Sequence, residues 1–82
     1  MLDQVRVVLV DALNLGEEAL LWRSDTALLG SVPELDSLAV MSVITALEER
    51  FQFHIADDEI SAEDFATVGT LVAFVTNKLN KT

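Results

Sequence analysis

Three groups of residues have side chains that could do chemistry. Ser37 offers a hydroxyl in the tripeptide Asp36-Ser37-Leu38, directly before a run of apolar residues at helical spacing. His54 is the only histidine, and a cluster of carboxylates follows it: Asp57, Asp58, Glu59, Glu63 and Asp64. The chain has no cysteine, which excludes a disulfide scaffold, a thiolate metal site and a cysteine nucleophile. A hydroxyl, an imidazole and a set of carboxylates therefore remain as candidates.

Neither His54 nor the carboxylate cluster has the pattern of a reactive site. No serine–histidine–acid arrangement can be argued from the sequence, so we predict that His54 is a surface or half-buried loop residue. The carboxylates lack the regular spacing and the central glycine of a calcium-binding EF-hand loop, and we interpret them as a solvated acidic surface. Without a paired acid and base or a set of metal ligands, the sequence predicts a protein that is not an enzyme and holds no metal.

The element that positions Ser37 is the clearest helix in the sequence. Asp36 is a good N-cap, because its side-chain oxygen can accept a hydrogen bond from the first free amides of a helix. One face of the predicted helix is apolar, and its residues are Val40, Val43, Ile44, Leu47 and Phe51. We expect the helix to end near Arg50 or Phe51, which leaves Ser37 in its first turn.

A first helix is predicted over Leu2–Leu15, with Gly16 as its C-cap because glycine tolerates the left-handed conformation there. A long connection follows, from about Glu17 to Leu35. It contains turn-forming residues but also five large apolar side chains: Leu20, Leu21, Trp22, Leu28 and Leu29. A polar linker would not carry them, so we expect the connection to fold back and cover the core. A short helical turn around Glu17 to Trp22 is compatible with the pattern.

The last third of the chain contains two more helix starts. Phe53 and Ile55 are expected to anchor the connection after the second long helix. Ser61-Ala62-Glu63-Asp64 has the pattern of a capping box that starts a short helix through Phe65. Thr67 is predicted to cap a last helix, whose apolar positions are Val68, Leu71, Val72, Val75 and Leu79. The sequence therefore predicts one all-α domain, residues 1–82, with three longer helices, one short helix and a long loop between the first and second.

The charge and the hydropathy of the chain exclude several classes of partner. The net charge is −9, from 14 acidic and 5 basic residues, and such a chain repels nucleic acid. An acidic surface instead favours partners with basic patches. No apolar run is long enough to cross a membrane, and the N-terminus lacks the pattern of a signal peptide. We therefore expect a cytoplasmic protein that does not insert into membranes.

Together these features resemble the acyl carrier protein family, and the resemblance covers nearly the whole chain. Its motifs are Asp36-Ser37-Leu38 at a helix start, the helix ending Leu47-Glu48-Glu49-Arg50-Phe51, and the short helix that passes into Thr67-Val68. The resemblance implies a four-helix bundle in which Ser37 carries 4′-phosphopantetheine through a phosphodiester, with Asp36 and Leu38 beside the arm. It further implies an acyl group held on that arm as a thioester.

The resemblance also implies partners. Coenzyme A and a phosphopantetheinyl transferase would supply the arm, and acyl-loading and acyl-accepting enzymes would use it. The position of Ser37 suits this chemistry, since the start of a helix offers unpaired amides and a positive dipole end to an anionic phosphate. Because no activating base accompanies Ser37 in the sequence, the domain is not expected to modify itself.

The chain departs from its family on the face that partners would read. Carriers of general fatty-acid synthesis usually have acidic residues soon after the serine, where this chain has Ala39 and Ser42. Acidic character is retained only at Glu48 and Glu49. Met41 lies near the apolar seam, where core or rim packing is the expected role and contact with cargo or a partner is the alternative. We take Ala39, Met41, Ser42, Glu48 and Glu49 as the candidate partner-binding residues.

These departures predict a specialised carrier. The run from Leu28 to Phe51 resembles carriers found with bacterial exosortase systems and exopolysaccharide production. A peptidyl or aryl carrier loaded by an adenylation enzyme, and a helical interaction module that is never modified, remain the alternatives. If cargo is sheltered, the helical periodicity suggests a lining that includes Val43, Leu47, Ile55 and Val68. A monomer is expected, because a carrier must pass between active sites.

Overall fold

The computed structural model describes residues 1–80, and its regular structure is helical. Three α-helices span Leu2–Leu13 (α1), Ser37–Phe51 (α2) and Val68–Asn80 (α3). Two short 3₁₀ helices, Glu17–Leu21 and Ala62–Phe65, lie in the connections. The all-α prediction of three longer helices, one short helix and a long first loop is confirmed. The helical turn after α1 is also present, whereas the treatment of residues 1–82 as one domain stays a prediction.

The C-terminus of α1 differs from the prediction. The helix ends at Leu13, and the left-handed cap is Asn14, with φ 54° and ψ 48°. The amide of Leu15 donates to the carbonyl of Val10 at 3.0 Å, which completes the cap. Gly16 has φ −75° and precedes the first 3₁₀ helix instead. The prediction of Gly16 as the cap was wrong because asparagine is the other residue that commonly adopts the left-handed conformation.

The core forms where α1 packs against both α2 and α3. The predicted apolar faces supply most of its members, and Leu13 joins them. The fully buried residues on the three helices are Val5, Leu9, Val43, Leu47, Val68, Leu71 and Val75. In a chain of 82 residues this single cluster must provide most of the hydrophobic stabilisation.

The long connection covers the core, but with a different set of side chains from the five expected. Leu28 is fully buried and Trp22 is half-buried against the core, whereas Leu20, Leu21 and Leu29 are exposed. The other buried side chains of the connection are Ala19, Val32 and Leu35. The expectation was wrong for three leucines because apolar content shows that a loop covers the core without showing which side chains face inward.

Backbone hydrogen bonds attach the long connection to the start of α3. The amide of Leu28 donates to the carbonyl of Ala66 at 2.9 Å, and the amide of Val68 donates to the carbonyl of Thr26 at 3.0 Å. The amide of Gly69 donates to the carbonyl of Ser24 at 2.7 Å. A Cβ on Gly69 would lie 2.8 Å from that same carbonyl oxygen, so glycine is required here by close approach.

The remaining helix starts are capped as predicted. In the capping box of the second 3₁₀ helix, the amide of Ser61 donates to Oδ2 of Asp64 at 2.9 Å. At the start of α3, the amide of Thr70 donates to Oγ1 of Thr67 at 3.1 Å. No helix within residues 1–80 is long and apolar enough to cross a membrane. The cytoplasmic location and the monomeric state stay predictions.

Candidate functional site

Ser37 is the first residue of α2, and its side chain is exposed. Asp36 caps the helix as predicted: its backbone is extended, with φ −102°, and its Oδ1 accepts a hydrogen bond from the amide of Ala39 at 2.8 Å. The carbonyl of Asp36 accepts from the amide of Val40 at 2.9 Å, which closes the first turn. Asp36 therefore fixes the direction in which the helix starts and presents Ser37 to solvent.

An apolar groove begins at Ser37. It has a volume of about 610 Å³ and lies between α2, the second 3₁₀ helix and the end of the long connection. Its lining residues are Leu29, Leu35, Asp36, Ser37, Val40, Met41, Ile44, Ile55, Ala56, Asp57, Ile60, Ser61, Ala62 and Phe65. Most of this surface is aliphatic or aromatic, and the few polar residues include the serine and its neighbour Asp36.

The residues suggested from periodicity as a cargo lining mostly do not line this groove, and their role toward cargo stays a prediction. Only Ile55 of the four suggested residues lines the groove, because Val43, Leu47 and Val68 are fully buried in the core. Helical spacing identifies the apolar stripe of α2, but the centre of that stripe faces α1, and its flank faces the groove. Ile60 and Phe65 line the groove but were not predicted to do so. The sequence offers one signal for Ile60: it is a large apolar residue within an otherwise acidic stretch.

The outward face of α2 near Ser37 is apolar and uncharged. Leu38 is 81% exposed and Met41 is 56% exposed. Met41 therefore lies on the rim of the groove and not in the core. Ala39 is half-buried and Ser42 is exposed. From Ser37 to Leu47 no side chain carries a charge, although the whole chain has a net charge of −9.

The two acidic residues at the far end of α2 have different surroundings. Glu49 is exposed, whereas the Glu48 side chain is only 25% exposed. Oε2 of Glu48 accepts from the backbone amide of Ile55 at 2.8 Å and lies 3.1 Å from Nδ1 of His54. His54 is itself 87% exposed, which confirms its assignment to the surface.

The carboxylate cluster is mostly exposed. Asp57 and Asp58 face solvent, and Glu59 forms an ion pair with Lys78 of α3. The ammonium of Lys78, followed by the amide of Ala56, lowers the pKa of Glu59 below its ordinary value. In the part of the chain that the structure describes, no three such residues are arranged to hold a metal ion.

The geometry around Ser37 fits an anionic, flexible prosthetic group better than a catalytic role. The hydroxyl is exposed at the positive end of a 15-residue helix, which favours a phosphate. Among the described residues, no base is hydrogen-bonded to this hydroxyl, so it is not activated as a nucleophile. The adjoining groove can hold an apolar chain that extends from the serine.

Comparison with known proteins agrees with this geometry. Residues 3–75 match the family model described as a phosphopantetheine attachment site. The acyl carrier protein of Sulfurovum is 36% identical over 75 residues, which cover 92% of this chain and 93% of that protein. The chain belongs to the acyl carrier protein family. The acyl carrier protein of Wolinella succinogenes is 39% identical over 79 residues, covering 93% of this chain and 95% of that protein.

A solved structure gives the same result for the fold. The solution NMR structure of a holo acyl carrier protein from Nitrosomonas europaea superposes with a TM-score of 0.89 at 54% identity. The match covers 96% of this chain and 95% of that one. Acyl carrier proteins are carriers and not enzymes, and family membership implies a 4′-phosphopantetheine group, as the sequence predicted.

Proposed function

We propose that Ser37 carries the 4′-phosphopantetheine arm through a phosphodiester at its Oγ. The observation that supports this assignment is the exposed hydroxyl on the first residue of α2, at the mouth of the apolar groove. The arm supplies a terminal thiol, on which an acyl group is held as a thioester. No residue within 1–80 is hydrogen-bonded to the Ser37 hydroxyl, so the phosphopantetheinyl transferase must provide the base. Oγ of Ser37 then attacks the phosphate of coenzyme A that bears the pantetheine, and adenosine 3′,5′-bisphosphate leaves.

Asp36 and Leu38 complete the proposed attachment site. Asp36 holds the first turn through its hydrogen bond from Ala39. Leu38, the most exposed large apolar residue of the described chain, offers a transferase an uncharged contact directly beside the serine. Asp36 thus positions Ser37, while Leu38 contributes to the surface that a modifying enzyme covers.

The groove is the proposed shelter for the acyl chain. Val40, Ile44 and Ile60 are half-buried around it, so they retain apolar surface that a hydrocarbon chain can cover. Transfer of that surface out of water stabilises the sheltered state, and exclusion of water slows hydrolysis of the thioester. The apolar lining favours an aliphatic acyl group over the polar cargo of a peptidyl carrier.

The uncharged face of α2 supports a specialised pathway. Partners of a general carrier dock by complementary charge, and the positions that would supply it are Ala39 and Ser42 in this chain. Met41, Glu48 and Glu49 complete the proposed partner-binding set. We propose a dedicated lipid, secondary-metabolite or exopolysaccharide-linked system. Binding to a housekeeping ketosynthase should be weak and nearly independent of salt; tight, salt-sensitive binding would contradict a specialised role.

Intact-mass measurement tests the attachment site. The purified chain is incubated with coenzyme A and a broad-specificity transferase, and one phosphopantetheine should be added. Ser37→Ala should abolish the gain in mass. Thr45→Ala is the matched control, since it removes another exposed hydroxyl of the same helix outside the partner-binding set, and it should be modified like the parent. Modification of Ser37→Ala, or none of the parent, would overturn the proposal.

A further inference from the structure

Glu48 forms hydrogen bonds with the segment that follows α2, which a glutamate that only attracts a partner by charge would not require. Its Oε2 accepts from the backbone amide of Ile55 at 2.8 Å, seven residues along the chain. Its carbonyl accepts from the amide of Phe53 at 3.3 Å and is also the acceptor for the C-cap Gln52. The neighbouring Glu49 is exposed, and its carboxylate has no partner within residues 1–80. The two adjacent glutamates therefore have different surroundings.

The amide that Glu48 binds belongs to a wall of the groove. Ile55 is buried and lines the groove, together with Ala56, Asp57 and Ile60 from the same segment. Residues 53–56 are in no helix or strand, so their amides have no regular hydrogen-bond ladder. The shape of this wall depends on side chains that bind its backbone.

Three carboxylates bind the backbone of this wall. Glu59 Oε1 accepts from the amide of Ala56 at 2.9 Å, and Asp64 Oδ2 accepts from the amide of Ser61 at 2.9 Å. Both of these acceptors are on the same side of the groove as the amides they bind. Glu48 is on α2, which forms the opposite wall, and so its hydrogen bond joins the two walls.

We propose that Glu48 is a positioning residue that sets the width of the groove beside Ser37, by binding the amide of Ile55 to α2. The functional part of this inference rests on the proposed role of the groove as the acyl shelter. With the hydrogen bond, the side chain of Ile55 keeps a fixed position against the cargo. Without it, the amide of Ile55 is left unpaired and the wall moves outward to reach water.

Conservative variants separate this role from charge recognition. Glu48→Gln keeps an oxygen acceptor for the Ile55 amide but removes the charge, so the groove should be retained. Glu48→Ala removes both. Glu49→Ala removes an equal charge one residue away without touching the wall, and is the matched control. His54→Ala is a second control, since the imidazole is exposed and the Ile55 amide keeps its partner.

Amide hydrogen exchange of the unmodified chain is the direct test. In Glu48→Ala the amides of Ile55 and Ala56 should exchange roughly 10- to 100-fold faster than in the parent, as expected for loss of a hydrogen bond to a charged acceptor. The core amides of α1 and α3 should be nearly unchanged. Glu48→Gln should retain most of the protection, and Glu49→Ala all of it. Equal exchange in Glu48→Ala and the parent would overturn the proposal, as would loss of protection in Glu49→Ala.

A second measurement uses chains loaded with an octanoyl thioester. Hydrolysis should be several-fold faster in Glu48→Ala than in Glu49→Ala, with Glu48→Gln close to the parent. Because exchange is measured on the unmodified chain, it does not depend on attachment at Ser37. Faster exchange with unchanged hydrolysis would support the role of Glu48 in shaping the wall and contradict the groove as the acyl shelter. Faster hydrolysis in all variants alike would overturn the inference.

Discussion

The two sides of α2 are packed differently. On one side, Val43 and Leu47 are fully buried in the core that α2 shares with α1. On the other side, Val40 and Ile44 are half-buried at a groove of about 610 Å³. We call these the core side and the groove side. One helix thus supplies stability on its core side and an adaptable surface on its groove side.

The difference shows how a domain of 82 residues can carry an apolar cargo without losing its fold. If the groove were part of the core, each loading or unloading event would open the protein. Here α1, α3 and Leu28 of the long connection close most of the core and do not line the groove, while Leu35, Ile55 and Phe65 belong to both. Substitutions should therefore cost most stability in the core and progressively less at the long connection, the helix cap and the surface ion pair.

The largest loss of stability should come from the core. Leu71→Ala leaves a cavity at a fully buried position, and it should lower the free energy of unfolding by about 3 kcal/mol. Ile44→Ala, on the groove side, should lower it by only about 1 kcal/mol, because part of that side chain already contacts water. Urea denaturation measures both. Equal losses would show that groove and core are one unit.

Gly69 tests the attachment of the long connection to α3. In Gly69→Ala the added Cβ would lie 2.8 Å from the carbonyl oxygen of Ser24. The resulting displacement should lower the free energy of unfolding by about 1–2 kcal/mol. The sign of the change in the free energy of unfolding separates two effects, because helix propensity alone would make alanine stabilise the protein. Thermal unfolding that occurs at a higher temperature in Gly69→Ala would contradict the close contact.

Substitutions of Asp36 test whether its role as the N-cap of α2 can be separated from a role in the modification of Ser37. Asp36→Ala removes the acceptor for the Ala39 amide and should lower the free energy of unfolding by about 1 kcal/mol. Asp36→Asn keeps a capping oxygen and should retain the stability. If Asp36→Asn is also modified at the parental rate, the carboxylate acts only as a cap. A lower modification rate with unchanged stability would show that the transferase reads its charge.

The smallest effect should come from the Glu59–Lys78 ion pair, and it depends on pH. The pKa of Glu59 is lowered in the folded protein, first by Lys78, so the unfolded chain binds this proton more readily. The contribution is therefore complete above the ordinary value of 4.5 and is lost as the pH falls through the lower folded value. Glu59→Gln should be slightly less stable than the parent at pH 7, with the difference shrinking in acid.

The control for this pair is Glu63→Gln, at an exposed neighbour whose carboxylate makes no hydrogen bond within residues 1–80. At pH 7 its stability should be close to that of the parent, as measured by urea denaturation. A Glu59→Gln difference that grows on acidification would contradict the sign of the pKa shift.

Several features of this protein were determined by the sequence alone. Apolar residues at helical spacing, with capping residues before them, placed α2 and α3 within a residue or two of their observed bounds. The side chains of Asp36 and Thr67 each accept from an amide three residues on, and the amide of Ser61 donates to Asp64, because capping depends on residues only three positions apart. The position of Ser37 at the start of α2 follows from the same local interactions.

Only the tertiary structure decided which apolar side chains face the core and which side chains bind distant backbone amides. The sequence does not show that Leu28 turns inward while Leu29 turns outward, since the loop backbone is set by its hydrogen bonds to residues 65–69. It also does not show that Glu48 binds the amide of Ile55 or that Val43 faces the core instead of the groove. Periodicity defines the width of an apolar stripe, but only packing against other elements divides that stripe between core and groove.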